Sequence, residues 1–158
     1  MAKGKESFPH IGIYGRRNSG KSTTINFLAG QNVAIVSDVA GTTTDPVKKS
    51  FEITGFGPVV LIDTAGIDDE GELGRLRVEK TMESIKSVDL ALLVVTNNSI
   101  NSSEEKLIEE FAKTDTPFIV VHNQNDRLPL LPEFSTTMSA SWRAFGCNPG
   151  VTKVGILF

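Results

Sequence analysis

Cysteine occurs once in the 158 residues, at Cys147. A lone thiol excludes an internal disulfide and a cysteine-rich metal site within the chain. No apolar run approaches the roughly 18 residues that cross a bilayer, and the opening stretch MAKGKESFPH is polar, without the apolar centre of a secretory leader. A soluble protein is expected, cytoplasmic and without membrane contact. Charge of one sign is also lacking. Sixteen Lys and Arg against 19 Asp and Glu leave a net charge of −3 and a pI near 5.4. That balance argues against a surface built to coat nucleic acid, so no nucleic-acid partner is expected. Repeats and low-complexity segments are absent too.

What remains is an ordinary globular composition, 39% hydrophobic and 22% charged. Its length favours one domain with a real core. Short apolar runs alternate with helical patterns. HIGIYG (10–15) reads as a strand and KSTTINFLAG (21–30) as a helix closed by glycine. VKKSFEIT (47–54) alternates with period two, and PVVLIDTAG (58–66) is a continuous apolar strand. GELGRLRVEKTMESIKSV (71–88) carries Leu73, Leu76, Met82 and Ile85 at helical spacing. LALLVVT (90–96) is a buried strand, NSSEEKLIEEFAKT (101–114) a helix with a Ser cap and an acidic first turn, and PFIVVHNQND (117–126) another strand. From about 127 the alternation fails. Strands separated by helices imply βαβ units and a mostly parallel sheet.

The strongest motif is GRRNSGKS, Gly15 to Ser22, between a strand and a helix. It fits G-x4-G-K-S/T, in which backbone N–H groups wrap phosphates at a helix N-terminus. Gly15, Ser19, Gly20, Lys21, Ser22 and Thr23 are the candidate nucleotide contacts. Lys21 would reach the β- and γ-phosphates, and the Ser22 hydroxyl would ligate Mg²⁺. The plain alternative is a Gly-rich turn capped by Ser, and the flanking strand and helix decide against it. DTAG (63–66) ends a buried strand, where Asp63 can hold magnesium and the Gly66 N–H can sense the γ-phosphate. A strand-terminal Asp alone is more often a turn former. Between the two lies VSDVAGTTTDP (36–46), whose threonines can supply a further Mg²⁺ ligand. Past the last strand come Asn123, Gln124 and Asp126. The Asp126 carboxylate can accept both N1–H and N2–H₂ of guanine, a donor pair adenine lacks, while Asn123 ties the pocket together. The expected ligands are therefore GTP and GDP.

This order of motifs resembles the translation-factor-class GTPases of the TrmE–Era–septin group. The stretches GQNVAIVSDVAGTTTDPV and DDEGELGRLRVEKT resemble the GTPase domain of the HydF family, the iron–iron hydrogenase maturation GTPases. The resemblance covers about residues 8 to 126. It implies an α/β P-loop NTPase fold, a three-layer sandwich with a mostly parallel sheet, and a slow Mg²⁺- and K⁺-dependent GTP hydrolase acting as a switch. It implies hydrogenase maturation proteins as partners, and a homodimer in the full-length protein. By the resemblance Thr43 ligates magnesium, and Asn18, with backbone carbonyls of Ser37, Val39 and Thr42, holds K⁺ beside the phosphates. Lys21, Thr43, Gly66 and Asn18 form the catalytic set. Ile67 stands where Ras-like proteins keep a water-orienting Gln.

Departures from the family pattern are equally definite. Its base-reading motif is N-K-x-D, whereas this chain has NQND, with the shorter, neutral Gln124 in the lysine position. MSAS (138–141), with Ser139 and Ala140 in the S-A-K role, arrives too soon after Asp126 for a full helix and strand. Residues 1–8 read as a tail, 9–126 as the G domain core, and 127–158 as its shortened or divergent C-terminal part. The His/Cys cluster domain of full-length family members has no counterpart, so no iron–sulfur cluster is expected here. Two other readings stay open: a nucleotide-binding interaction module with little hydrolysis, and a ribosome- or tRNA-associated GTPase of the same group.

Overall fold

The structure, a computed structural model, describes residues 8–30, 33–39, 46–53, 55–124, 127–134 and 153–156, with side chains for all of these except 29, 30, 33–39 and 153–156. Its elements in chain order are β1 (His10–Gly15), α1 (Lys21–Gly30), β2 (Val33–Val39), β3 (Val47–Ile53) and β4 (Gly57–Asp63). They continue with α2 (Gly71–Ser84), β5 (Leu90–Val95), α3 (Ser102–Lys113), β6 (Phe118–His122) and β7 (Lys153–Ile156).

All seven strands join one sheet in the order β2-β3-β4-β1-β5-β6-β7. Neighbours from β4 to β7 run parallel, while β3 is antiparallel to both β2 and β4. The register aligns the strand ends that matter. Ile13 lies opposite Asp63, Gly15 opposite Val94, and Val95 opposite His122. The segments after β1, β4 and β6 therefore leave the sheet along one edge, where open α/β sheets hold ligands.

Alternation along the strands divides the core into two faces. Ile13, Phe51, Val59, Leu61, Val94 and Val121 pack with Ile25 of α1 on one side. Tyr14, Leu93, Val95, Phe118 and Val120 pack with Ile85 and with Leu107, Ile108 and Phe111 of α3 on the other. Phe111 meets Tyr14 edge-on at 5.3 Å, a geometry that adds to simple area burial, and lies tilted by 34° against Phe118 at 5.1 Å. Burial of the Tyr14 phenol pushes its pKa up to about 12, and its hydroxyl keeps a partner in Ser84 Oγ at 2.9 Å.

Several local expectations change. No strand is expected in the polar stretch 36–46, yet β2 runs through Val39. A register shift between Ile35 and Ser37 breaks the period-two signal, and pairing with β3 supplies what local pattern lacked. Asn101, not Ser, caps α3. Its side chain accepts from the Ser103 and Glu104 N–H groups, and Glu104 returns a bond to the Asn101 N–H. In α2, Met82 and Ile85 join the core as expected, but Leu73 and Leu76 are exposed. The inner stripe is Gly74, Thr81 and Ile85, because Gly74 packs against the Asp69 backbone, where a Cβ would stand 2.8 Å from Asp69 C. That contact turns the helix about its axis. α2 also stops at Ser84 and continues as a 3₁₀ turn over Ile85–Ser87. Within the stretch expected to be shortened, β7 pairs with β6 in parallel and extends the sheet.

Candidate nucleotide-binding site

The turn after β1 sets the site. Gly15 ends the strand and Lys21 begins α1, so the loop between them presents a helix N-terminus to the sheet edge. Lys21 is almost buried, and its ammonium donates to the carbonyls of Gly15 at 3.0 Å and Arg16 at 2.7 Å. The lysine thus clasps its own loop. Desolvation lowers its pKa, while the charges of Asp63, Asp68 and Asp69 act in the opposite sense. Asp63, at the end of β4, has its pKa raised by desolvation and is countered by Lys21 and Lys49. A cation at this carboxylate would relieve the same penalty.

A cavity of about 570 Å³ opens along this edge. Asn18, Gly20, Lys21, Ser22, Thr23 and Asp63 line it from the first and second motifs, and Asn123 and Gln124 from the third. Ser22 and Thr23 are exposed at the start of α1, whereas Ser19 is buried and its hydroxyl has no partner among the described residues. Asn123 donates from its side-chain amide to the Ser19 carbonyl at 3.0 Å, and Gln124 donates to the Asn18 carbonyl at 3.3 Å. The two residues after β6 and the phosphate loop are therefore stitched together twice. Gln124, despite lacking the lysine charge, still reaches the loop. Gly20 permits this closeness: its φ is +94°, and a Cβ there would collide with the Asn123 amide. Gly66 lies against the loop as well, where a Cβ would stand 2.8 Å from the Arg17 nitrogen.

The residues fit magnesium. One carboxylate and one hydroxyl on a shared cavity wall suit a small cation that keeps waters and takes phosphate oxygens. Asp63 and Ser22 would hold it. Among the described residues no three His, Cys, Asp or Glu converge on a metal-binding point. The potassium set is described only in part. Asn18 lines the cavity, but Ser37 and Val39 lie in edge strand β2, separated from β1 by β3 and β4. Three strand spacings put them about 14 Å from β1. Thr42, Thr43, Asp126, Ser139 and Ala140 lie outside the described residues, as does Cys147.

Sequence reasoning passed over four residues that the structure places here. Thr64 and Arg127 line the cavity. Arg16, beside Gly15, sends its Nε to Glu104 Oε1 at 2.9 Å, joining the loop to the capping box of α3 through a fully buried carboxylate. Asp68 accepts from the Arg17 N–H. Only the paired arginines of the loop hinted at such partners. No described helix is long and apolar enough to cross a membrane.

Comparison with known proteins agrees with this geometry. The family described as 50S ribosome-binding GTPase matches residues 10–124. The tRNA modification GTPase MnmE of Chromobacterium violaceum is 38% identical over 118 residues, covering 74% of this chain and 26% of that protein. GTPase Era of Synechocystis is 34% identical over 142 residues, covering 89% and 44%. The crystal structure of Aquifex aeolicus Era bound to GDP and AlF₄⁻ superposes with a TM-score of 0.69 at 26% identity, covering 94% of this chain and 50% of that one. A structure of Era with MgGDPNP and nucleotides 1506–1542 of 16S ribosomal RNA gives 0.70 at 25% identity, covering 97% and 51%. The chain thus spans about a quarter of the MnmE relative and under half of the Era relative. Hydrogenase maturation has no counterpart among these relatives. With its phosphate loop, strand-end aspartate and stitched third motif on one sheet edge, the chain has the P-loop GTPase fold and belongs to the 50S ribosome-binding GTPase family.

Proposed function

We propose that this chain binds GTP with Mg²⁺ and hydrolyses it slowly to GDP and phosphate, acting as a conformational switch. The observation that carries the proposal is the shared cavity wall of Lys21, Ser22, Asp63, Asn123 and Gln124. It sets the phosphate and metal candidates beside Asn123 and Gln124, the described part of the base-reading motif. Little covalent chemistry is required of the protein in phosphoryl transfer; positioning and charge stabilisation suffice. Loop N–H groups and Lys21 bind the phosphates, and Gly66 N–H faces the terminal one. Magnesium, when bound, neutralises charge on the β- and γ-oxygens. Ile67 is buried and has no group to orient water, so that role falls elsewhere.

The setting we favour is the RNA-linked one. The relatives named tRNA modification GTPase and Era support it, and the Era structure with ribosomal RNA weighs against the expectation of no nucleic acid. The hydrogenase-maturation setting rests on GELGRLRVEKT and AGTTTDPV alone. Phosphate release from GTP, with Lys21→Ala as the dead control, tests the activity. Equal release by both chains means the loop is only a turn. Asp126→Asn tests the base: preference should move from GTP to xanthosine triphosphate, since an amide donates where the carboxylate accepted. Turnover raised by transfer RNA or a 16S ribosomal RNA fragment supports the RNA setting, and indifference to both counts against it.

A further inference from the structure

The turn after β4 grips the phosphate loop at several points. Ile67 N–H donates to the Gly15 carbonyl at 3.2 Å, and Arg17 N–H donates to Asp68 Oδ1 at 2.6 Å. The Arg17 guanidinium meets Asp69 at 3.4 Å, and Asp69 also faces Arg77 at 3.9 Å. Backbone N–H groups of a Gly-rich loop are the donors that phosphate takes. Here a carboxylate has taken one of them, at a distance short enough for a charge-assisted bond. Asp68 is exposed, so burial does not force the contact. The position is telling, because the point a Gly66 Cβ would occupy is 2.8 Å from the same Arg17 nitrogen. Asp68 and Asp69 also act electrostatically on Lys21, in the sense that phosphates would.

We propose that Asp68 sets the preference between guanosine diphosphate and triphosphate: its carboxylate holds the loop N–H beside Gly66 as a stand-in for the terminal phosphate, and must leave when a triphosphate enters. The proposal rests on the GTP reading above. A diphosphate ends short of Gly66 and leaves the Arg17–Asp68 bond intact. A γ-phosphate brings like charge against the carboxylate, so triphosphate binding carries the cost of breaking that bond. Departure of Asp68 would also remove one of the ties between the loop and the turn that leads into α2, which links nucleotide state to the exposed Leu73 and Leu76.

The test is titration of GDP and of a non-hydrolysable GTP analogue, with Mg²⁺, on the parent chain, Asp68→Asn and Asp68→Ala. Asn keeps the acceptor oxygen and loses the charge, whereas Ala loses both. The analogue should bind about tenfold tighter to Asp68→Ala, less so to Asp68→Asn, with GDP unchanged within about twofold. Asp69→Asn is the comparator, since the Asp69 carboxylate meets the side chains of Arg17 and Arg77 and takes no N–H of the phosphate loop; its analogue-to-GDP ratio should match the parent. An unchanged ratio in both Asp68 variants overturns the proposal. So does an equal rise in Asp69→Asn, which would mean a diffuse negative field. Failure of the parent to bind either nucleotide overturns instead the GTP reading on which this one stands.

Discussion

Asn123, one residue past β6, donates its side-chain amide to the carbonyl of Ser19, 104 residues earlier, at 3.0 Å. Asn123 is only 5% exposed, and Gly20 leaves the space its amide fills. The bond fastens the base side of the cavity to the phosphate side. Asn123→Ala leaves a buried carbonyl unpaired and should cost about 1–3 kcal/mol of stability. Urea unfolding checks this, and a midpoint equal to the parent's would mean water replaces the amide without loss.

Gln124 reaches the Asn18 carbonyl at 3.3 Å through a neutral amide and is half-buried. Gln124→Lys puts a charged donor at the same carbonyl and lays a longer stem along the base. GTP and GDP should both tighten, by about 1–2 kcal/mol. Titration of both nucleotides decides. No gain would show that the amide already satisfies this pocket.

By the resemblance Asn18 would hold K⁺, and its φ of +56° makes alanine a strained replacement there. Asn18→Gly removes the amide without that penalty. Phosphate release should be faster in K⁺ than in Na⁺ for the parent at equal ionic strength, and Asn18→Gly should erase the difference. Equal rates for the parent in the two salts would remove potassium from the mechanism.

His122 ends β6 with 0% exposure, packed edge-on to Phe134 at 6.4 Å, and both ring nitrogens lack partners among the described residues. Burial lowers its pKa from the ordinary 6.5. The folded chain therefore resists a proton that the unfolded chain accepts. Stability is unaffected above about pH 6.5 and falls as pH drops below it, by at most about 1.4 kcal/mol per unit, until the folded value is reached. Unfolding free energies at pH 7.5, 6.5 and 5.5 should show this slope, and His122→Leu should flatten it. A parent curve flat across that interval would mean the imidazole finds a proton acceptor when buried.

Local pattern accounts for much of this molecule. β1, α1, β3, β5 and β6 lie within the apolar runs and helical spacings that announce them, since each buries a face its own side chains define. The phosphate loop was legible for a similar reason: its glycines, lysine and serine are needed at adjacent positions, so the chemistry sits in one short string. Elements that depend on a partner were not legible. β7 is four residues broken by Gly155, and it exists as a strand because β6 offers a free edge. α2 presents its leucines outward because Gly74 must meet the Asp69 backbone, a contact no periodicity encodes. Composition and motif order determined that this chain would build a mostly parallel sheet with a phosphate loop at its edge. Which residues close around that loop was decided only when the sheet aligned β1, β4 and β6. Asn123 reaches Ser19, Glu104 reaches Arg16 and Asp68 reaches the Arg17 N–H across separations of 104, 88 and 51 residues. Each bond depends on distances that local sequence cannot hold, because only packing brings those chain segments within a few ångströms.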